Sequence, residues 1–289
     1  MFSKRRFRSF RQTFAPLLRP VLEHGGPFRF VAAKVLASRQ PDSVEVDGLR
    51  FDVHGGDFGV TLELIAAGAY EPGSQQVMLD RLPQGGCFVD VGAHVGLFTL
   101  PAARKVGPSG RVFAFEPNPE NRALLEANIA QNGMGDIVEV VPCAVGDAAG
   151  TAVLHCSAWN TGDHRLLGAP RGRRVVEVEV VRLDEFLGAC GCRADMIKID
   201  VQGAEARVIA GLGVPDPLPA MLMEYSPSMV VDAGDDPEVL LQGLVECGWA
   251  LSMVDEDSGA LAPGSVADVV KQCPHHAYVN LLVEGASDA

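Results

Sequence analysis

Apolar runs alternate along the chain with segments of helical period, and this alternation predicts parallel strands joined by helices. Residues 88–91 form an apolar, β-branched run that ends at Gly92, where a helix-period segment begins. Residues 111–116 predict a second buried strand, followed by a Pro-Asn-Pro turn and an amphipathic helix that ends at Asn132-Gly133. Units of strand, turn and helix repeated in this way are typical of a doubly wound α/β fold.

The second half of the chain continues the pattern with one interruption. Residues 151–187 predict two strands around a polar, glycine-rich loop, which departs from the alternation of strands and helices. The other predicted elements are a third strand in 137–145, a fourth strand with turn and helix in 194–212, a fifth strand in 218–227, a helix capped by Asp235 or Asp236, and an antiparallel closing pair in 249–255 and 276–284.

The segment before the first buried strand predicts a small appendage. Residues 43–55 alternate around Asp47-Gly48, which indicates a hairpin, and residues 58–82 predict two helices broken at Glu71-Pro72-Gly73. The predicted organisation is a basic helical arm in 1–42, a hairpin and helical cap in 43–83, and a catalytic domain in 84–289.

The turn after the first strand carries the first chemical signal. Such a turn directs free backbone N–H groups and a helix dipole at a ligand, while Asp90 beside it needs a cationic partner. Glu116, at the tip of the second strand, is placed to accept hydrogen bonds from two ribose hydroxyls. A ligand with an amino-acid end and a ribose fits both positions, which indicates S-adenosylmethionine. The alternative, NAD, expects G-x-G-x-x-G, whereas Gly92 and Gly96 lie four residues apart.

Seven motifs then resemble one family in their order and spacing. They are Asp90-Val-Gly-Ala-His-Val-Gly96, Glu116-Pro117, CAVGD at 143–147, LDEFL at 183–187, KIDVQGAE at 198–205, MEYSP at 223–227 and YVNLL at 278–282. This order resembles that of the FkbM-type methyltransferases, over about residues 60–284. The resemblance implies a Rossmann-like class I methyltransferase fold, a doubly wound, seven-stranded, mostly parallel sheet with an antiparallel last strand. The family usually has Asn at the position of His94 and Glu at that of Gln202.

The resemblance also implies a set of cofactor-binding residues. Ala144 and Val145 would lie beside the adenine, and Asp147 would bond its exocyclic amine, unless Asp147 only belongs to the turn before Gly150. The full predicted set is Asp90, Gly92, Ala93, His94, Gly96, Glu116, Pro117, Asn118, Ala144, Val145, Asp147 and Asp200.

Acceptor chemistry is expected at the end of the fourth strand, which faces the transferred methyl in this fold. Asp200 is the first candidate for the general base and His94 the second, with Lys198 as a third catalytic candidate. Lys198 and Glu205 could equally form an ion pair that fixes the turn. Asp200, Glu224 and Asp90 would suit magnesium, but no Asp pair follows the fifth strand, so no metal is predicted.

The glycine-rich loop is the predicted substrate-recognition segment, the alternative being an exposed ribbon with an inactive tip. Tyr70 and Glu71 are expected to border the cleft unless they only end a helix. The predicted substrate-binding residues are Trp159, Asn160, Thr161, His164, Gln202, Glu205, Glu224, Tyr70 and Glu71.

Charge is distributed unevenly over the 289 residues. Residues 1–40 carry a net charge of about +8, although the whole chain carries −13, so the remainder is strongly acidic. An acidic body argues against nucleic acid as substrate. The expected acceptor is a hydroxyl of a small or glycosylated metabolite, such as a sugar, a macrolide or polyketide, or a lipid-linked glycan. The basic, Phe-containing arm would suit an anionic membrane surface, a partner or, less simply, an organelle transit signal.

Composition sets the remaining expectations. The chain has no apolar run of about 20 residues and no signal-peptide core, so we expect a cytoplasmic protein, with peripheral contact at the inner face of the membrane as an alternative. Seven scattered cysteines indicate reduced core residues rather than disulfides. The oligomeric state stays open, a dimer included. Besides the methyltransferase, two hypotheses are kept: an NAD-dependent oxidoreductase and a non-catalytic binding module at a membrane.

Overall fold

The computed structural model describes residues 40–57, 59–158, 160–274 and 277–286. The predicted arm of residues 1–42 therefore lies almost wholly outside the described residues, and so does Trp159. The described strands are β1 (Ser43–Val46), β2 (Leu49–Asp52), β3 (Cys87–Val91), β4 (Arg111–Phe115), β5 (Val138–Val141), β6 (Cys143–Val145), β7 (Gly150–Cys156), β8 (Arg174–Val181), β9 (Met196–Ile199), β10 (Ala220–Tyr225), β11 (Trp249–Val254), β12 (Leu261–Gly264) and β13 (Val279–Gly285).

The helices follow the predicted alternation with the strands. Those in the described residues are α1 (Val60–Ala67), α2 (Pro72–Arg81), α3 (Thr99–Val106), α4 (Pro119–Gln131), α5 (Leu183–Cys190), α6 (Glu205–Leu212), α7 (Pro227–Asp232), α8 (Pro237–Glu246) and α9 (Val266–Gln272). Asp236 is the cap of α8, since its side chain accepts hydrogen bonds from the N–H groups of Glu238 and Val239.

The central sheet has the order β12-β11-β13-β10-β9-β3-β4-β5. β3, β4, β5, β9 and β10 run parallel, and β13 lies antiparallel between β10 and β11. The doubly wound, mostly parallel fold is thus confirmed, but the prediction of seven strands omitted β12. That strand contains Pro263 and Gly264 and pairs only with β11, at the sheet edge where a residue without an N–H is tolerated.

The predicted third strand is in fact two strands in different sheets. Pro142 lacks an N–H and follows β5, so the ladder with β4 stops at Val141. The next three residues form β6, which pairs in parallel with β8. The order β6-β8-β7 makes a separate three-stranded sheet that carries the predicted glycine-rich loop between β7 and β8.

Two hydrophobic cores lie on the two faces of the central sheet. Val89 faces the core shared with α5, α6 and α8, whereas Phe88 faces the core shared with α3 and α4. The second core also contains Phe51, Leu64 and Met78 from the hairpin and the first two helices. The predicted cap therefore packs into the same apolar core as the sheet, and its separation as a domain stays a prediction.

Parallel pairing brings three chain segments to one edge of the sheet. Asp90 on β3 lies in register with Ala114 on β4 and with Lys198 on β9. The residues that follow these strands, among them Gly92, Glu116 and Asp200, must then meet at the carboxyl edge, where ligands of open α/β sheets bind.

Candidate active site

A cleft lined by residues from all three of these segments opens to solvent at this carboxyl edge. The predicted site residues that line it are Tyr70, Asp90, Gly92, Ala93, His94, Glu116, Pro117, Ala144, Val145, Thr161, His164, Lys198, Asp200 and Gln202.

The turn at Gly92 needs glycine for two reasons. Its φ is +88°, and a Cβ at this position would lie 2.0 Å from the carbonyl oxygen of Asp200. The N–H groups of Gly92 and Ala93 both donate to the carbonyl of Phe115, at 3.1 and 3.0 Å. The expectation that these N–H groups are free for a ligand is therefore wrong. They tie the turn to β4 instead, and so fix the distance between the two loops.

Glu116 joins the same two loops through its carboxylate. Oε2 accepts the N–H of His94 at 2.8 Å, and Oε1 accepts the N–H of Asn118 at 2.8 Å. The side chain is buried, and this burial raises the pKa of Glu116 to about 7, although the two backbone hydrogen bonds and one from the side chain of Asn121 oppose the change. These three hydrogen bonds leave at least one of the about four acceptor positions of the carboxylate for a hydroxyl group of a ligand.

Asp90 has one satisfied oxygen and one unsatisfied oxygen. Oδ2 accepts the hydroxyl of Thr99 at 2.6 Å, whereas Oδ1 is buried and has no hydrogen-bond partner among the described residues. Burial raises the pKa of Asp90, and the ammonium of Lys198 opposes that change. An orphaned carboxylate oxygen at the cleft fits a ligand donor such as the ammonium of S-adenosylmethionine.

Lys198 provides a buried positive charge in the same cleft, in register with Asp90 on the neighbouring strand. Its Nζ lies 3.1 Å from Oδ2 of Asp200 and 5.0 Å from the centre of the Phe98 ring. Burial alone would lower the pKa of Lys198, but the carboxylates of Asp200, Asp90 and Glu71 outweigh it and raise the pKa above its ordinary value. Lys198 is therefore held as a cation.

The alternative ion pair between Lys198 and Glu205 is corrected by the structure. Glu205 accepts the N–H groups of Val201 and Gly203 at 3.0–3.3 Å, and its carboxylate therefore stabilises the turn that precedes α6. Burial raises the pKa of Glu205 to about 7. The side chain does not line the cleft, so the structure does not place it for the predicted substrate contact.

Several acidic groups crowd around Asp200. Gln202 donates to Oδ1 of Asp200 at 2.7 Å and to Oε1 of Glu224 at 3.0 Å. Burial raises the pKa of Glu71 to about 8, with Asp200 adding to the effect, so Glu71 carries its proton at neutral pH. Burial also raises the pKa of Glu224 well above its ordinary value, with further contributions from Asp200 and Glu71. Neither Glu71 nor Glu224 lines the cleft, but both lie behind the residues that do.

Tyr70 borders the cleft directly, as predicted, and lies beside this acidic group. Its pKa is raised well above 10 by burial and by the charge of Glu71, so the phenol keeps its proton and can donate a hydrogen bond.

His94 lies at the opposite wall in an unusual backbone conformation. Its φ is +53°, and its Nε2 lies 2.9 Å from Oγ1 of Thr161. Burial lowers the pKa of His94 well below 6.5, with the neighbouring His54 and His164 adding to the effect. The ring is therefore neutral at pH 7. His164 is likewise neutral, because burial lowers its pKa to about 4, and its Nδ1 accepts the N–H of Ser157.

The loop between β7 and β8 folds over the cleft rather than projecting as an inactive ribbon tip. The N–H of Thr161 donates to Oδ1 of Asp57 at 2.7 Å, and Oδ2 of Asp57 accepts the N–H of Thr61 in the first turn of α1. Farther along the loop, Asp163 pairs with Arg165 at 2.6 Å and also with Arg173. These contacts place Thr161, Gly162, His164 and Leu166 in the cleft wall.

Four other predicted residues make their contacts outside the cleft lining. Gly96 packs against Leu125, while Asn118 caps α4 and donates to Sγ of Cys156. Asp147 is half-exposed and pairs with Arg207 at 3.1 Å. Asn160 closes its own loop by accepting the N–H of Gly162. The structure thus gives these residues supporting contacts instead of a place in the cleft lining.

Sequence reasoning missed several residues of the site. Asn121 lies in the first turn of α4, and its position five residues after Glu116 could have indicated it, since helix N-termini often face ligands. The others reach the cleft only through the tertiary fold, and these are Val60, Leu97, Phe98, Cys143, Leu154 and Leu166.

The described residues contain neither a cluster of metal-binding side chains nor a membrane-spanning helix. In that part of the chain, no group of three or more His, Cys, Asp or Glu side chains has a geometry that could hold a metal ion. None of the helices there is both long and apolar enough to span a membrane.

The doubly wound sheet with a cleft at its carboxyl edge has the predicted class I methyltransferase fold. The sequence model of the methyltransferase FkbM domain matches residues 90–248, which is more than half of the chain. The protein therefore belongs to the FkbM methyltransferase family. This membership confirms the predicted family and, with it, S-adenosylmethionine as the cofactor.

Individual relatives are more distant. The methyltransferase sdnD of Sordaria araneosa is 30% identical over 166 residues, covering 46% of this chain and 62% of that protein. The 31-O-demethyl-FK506 methyltransferase FkbM of Streptomyces tacrolimicus is 29% identical over 192 residues, covering 53% and 73%. The match thus spans less than two thirds of the length of sdnD. A crystal structure of a putative rRNA methylase from Clostridium thermocellum aligns with a TM-score of 0.47 and 12% identity, over 75% of this chain and 95% of that chain.

Proposed function

We propose that the protein transfers a methyl group from S-adenosylmethionine to a hydroxyl of a small or glycosylated metabolite. The observation that carries this proposal is the unpartnered Oδ1 of Asp90 in a cleft that also contains the carboxylates of Glu116 and Asp200. One end of the cleft offers acceptors for an ammonium and a ribose, and the other offers a base.

The cofactor end of the cleft binds and orients the donor. Asp90 would accept from the ammonium of the methionine end, and Glu116 from the ribose hydroxyls. Ala144 and Val145 would contact the adenine. Because Gly92 has no side chain, the backbone carbonyl of Asp200 can lie close to this turn. When bound, S-adenosylmethionine supplies a methyl group on a sulfonium that is an excellent leaving group. The protein then has to align an acceptor and remove one proton.

Asp200 is the proposed general base. Its carboxylate lines the cleft and is held by Lys198 and Gln202, so its orientation is fixed before an acceptor arrives. His94 is the second candidate, because its ring is neutral at pH 7 and could accept a proton. Its Nε2 is engaged by Thr161, however, which leaves it better placed to brace the methionine end of the cofactor.

Net charge and one named relative support the proposed acceptor. The acidic body of the chain disfavours nucleic acid, and an uncharged hydroxyl compound does not meet that objection. The relative from Streptomyces tacrolimicus is named a 31-O-demethyl-FK506 methyltransferase, which supports a hydroxyl acceptor here.

Calorimetric titration of the purified chain tests the cofactor assignment first. S-adenosylhomocysteine should bind with a micromolar Kd, and NAD should give no heat. Binding of NAD alone would mean that the oxidoreductase hypothesis is correct. A folded protein that binds neither ligand would favour the non-catalytic binding module.

Methyl transfer from labelled S-adenosylmethionine to panels of sugars, macrolides and glycans tests the acceptor and the base. Asp200→Asn should slow transfer by about 10²- to 10⁴-fold while S-adenosylhomocysteine still binds. His94→Asn is the matched variant. If it abolishes transfer while Asp200→Asn does not, His94 is the base.

A further inference from the structure

The side-chain amide of Gln202 lies between two carboxylates that come from different elements. Asp200 follows β9, whereas Glu224 lies on β10. The Nε2 of Gln202 is 2.7 Å from Oδ1 of Asp200 and 3.0 Å from Oε1 of Glu224. An amide nitrogen carries two N–H groups, so one N–H serves each carboxylate. The opposite orientation would place the amide oxygen against both carboxylates, so the contacts determine which atom is the nitrogen.

The backbone of Gln202 is built to hold this position. Its φ is +56°, a left-handed conformation that is uncommon for a residue with a side chain. Glu205 stabilises the turn by accepting the N–H groups on either side, those of Val201 and Gly203. Gly203 has no space for a side chain, because a Cβ there would lie 2.7 Å from the carbonyl oxygen of Met229.

The elements around Gln202 carry several charged groups, so an amide and a carboxylate at this position would have different effects. The titratable and charged groups that face Gln202 and its two partners are Asp200, Lys198, Glu205, Glu224, Glu71 and Tyr70. Lys198 is the cation in this group, and it is bonded to Asp200. A carboxylate at position 202 would put a third acidic side chain beside Asp200 and Glu224, and Lys198 already pairs with Asp200, so the added carboxylate would be ionised only at a cost.

We propose that Gln202 is a positioning residue that holds the side chains of Asp200 and Glu224 together through its two amide N–H groups. It acts on the reaction through Asp200, and this part of the inference rests on the proposed function. An amide does not titrate, so both of its N–H donors are kept as the pH changes.

Gln202→Glu tests the proposal in the full chain, with Gln84→Glu in the exposed turn before β3 as the matched control. The new carboxyl should keep its proton at pH 5.5 and lose it at higher pH. The Tm of Gln202→Glu relative to wild type should therefore be about 4 °C lower at pH 8.5 than at pH 5.5. Magnesium chloride at pH 8.5 should restore part of the loss. The Tm difference for Gln84→Glu should not change with pH.

A binding measurement separates positioning from a merely structural role. The carbonyl of Asp200 abuts the Gly92 turn, so a displaced Asp200 should disturb the cofactor end. S-adenosylhomocysteine should bind Gln202→Glu within about threefold of wild type at pH 6, and at least about tenfold more weakly at pH 8.5. A pH-independent Tm difference, or equal affinity at both pH values, would overturn the proposal. If wild type binds no S-adenosylhomocysteine at all, the proposed function fails, while the Tm comparison still decides the role of Gln202.

Discussion

The two ends of the cleft satisfy their buried carboxylates in different ways. At the cofactor end, Glu116 accepts two backbone N–H groups from its own loop and the adjacent loop. At the acceptor end, Asp200 depends on one ammonium and one side-chain amide, and Glu71 and Glu224 crowd behind it. Backbone donors are fixed by the fold, whereas side-chain donors can be removed by one substitution. The acceptor end is therefore the more sensitive half of the site.

Loss of the buried ammonium should have the largest effect on stability. Lys198→Met leaves Asp200 and Asp90 without their cation, and removal of one partner of a buried ion pair costs about 3–5 kcal/mol. Urea unfolding at pH 7 measures the change, with Lys271→Met on the exposed surface as the control. A loss below about 1 kcal/mol, similar to an exposed pair, would contradict the proposed dependence on Lys198.

A change in the backbone of the Gly92 turn should break the proposed cofactor end. Gly92→Ala adds a Cβ that would lie 2.0 Å from the carbonyl oxygen of Asp200, in addition to a strain of about 1–2 kcal/mol at positive φ. Gly107→Ala is a matched control, because Gly107 has a φ of +69° and a Cβ there would meet no described atom within 4 Å. Urea unfolding should show that Gly92→Ala lowers the free energy of unfolding by about 1 kcal/mol or more beyond the effect of Gly107→Ala. Only Gly92→Ala should lose affinity for S-adenosylhomocysteine. Equal losses of stability in the two variants would mean that the Gly92 turn shifts to accommodate the added Cβ.

Protonation of Glu71 should make stability depend on pH. Its pKa is about 8 in the folded protein and about 4.5 when unfolded, so the folded state binds more protons between these values. Stability should therefore be highest below pH 4.5 as far as this group is concerned, and should fall as the pH rises to about 8. Glu71→Gln should flatten this fall by roughly 1–3 kcal/mol in urea unfolding across pH 5–8.5. Glu185→Gln, in the exposed first turn of α5, is the control and should leave the slope unchanged.

The smallest effect is expected at Asp147, outside both ends of the cleft. Its carboxylate is half-exposed and pairs with Arg207, so Asp147→Asn should change stability by less than about 1 kcal/mol. S-adenosylhomocysteine affinity should stay within about twofold of wild type. A tenfold loss in calorimetry would instead restore the predicted bond between Asp147 and the adenine.

The amino-acid sequence by itself determined most of the strands and helices, and the meeting of Gly92 and Glu116 at one edge of the sheet. Gly92 and Glu116 follow buried strands directly, and the carboxyl ends of neighbouring parallel strands meet at one edge whatever the rest of the fold does. Each of these signals can be recognised from a few consecutive residues. The same is true of the cap of α8 at Asp236 and of the hairpin at Asp47-Gly48.

Only the tertiary structure decided how the acceptor end is assembled. The bond between Asp57 and Thr161 joins residues 104 apart, and that between Gln202 and Glu224 joins two different strand ends. Lys198 pairs with Asp200 rather than with Glu205, because the carboxylate of Glu205 already accepts backbone N–H groups of the turn. Contacts of this kind are chosen by packing and by competition among charges, and neither is visible in the local pattern of a sequence.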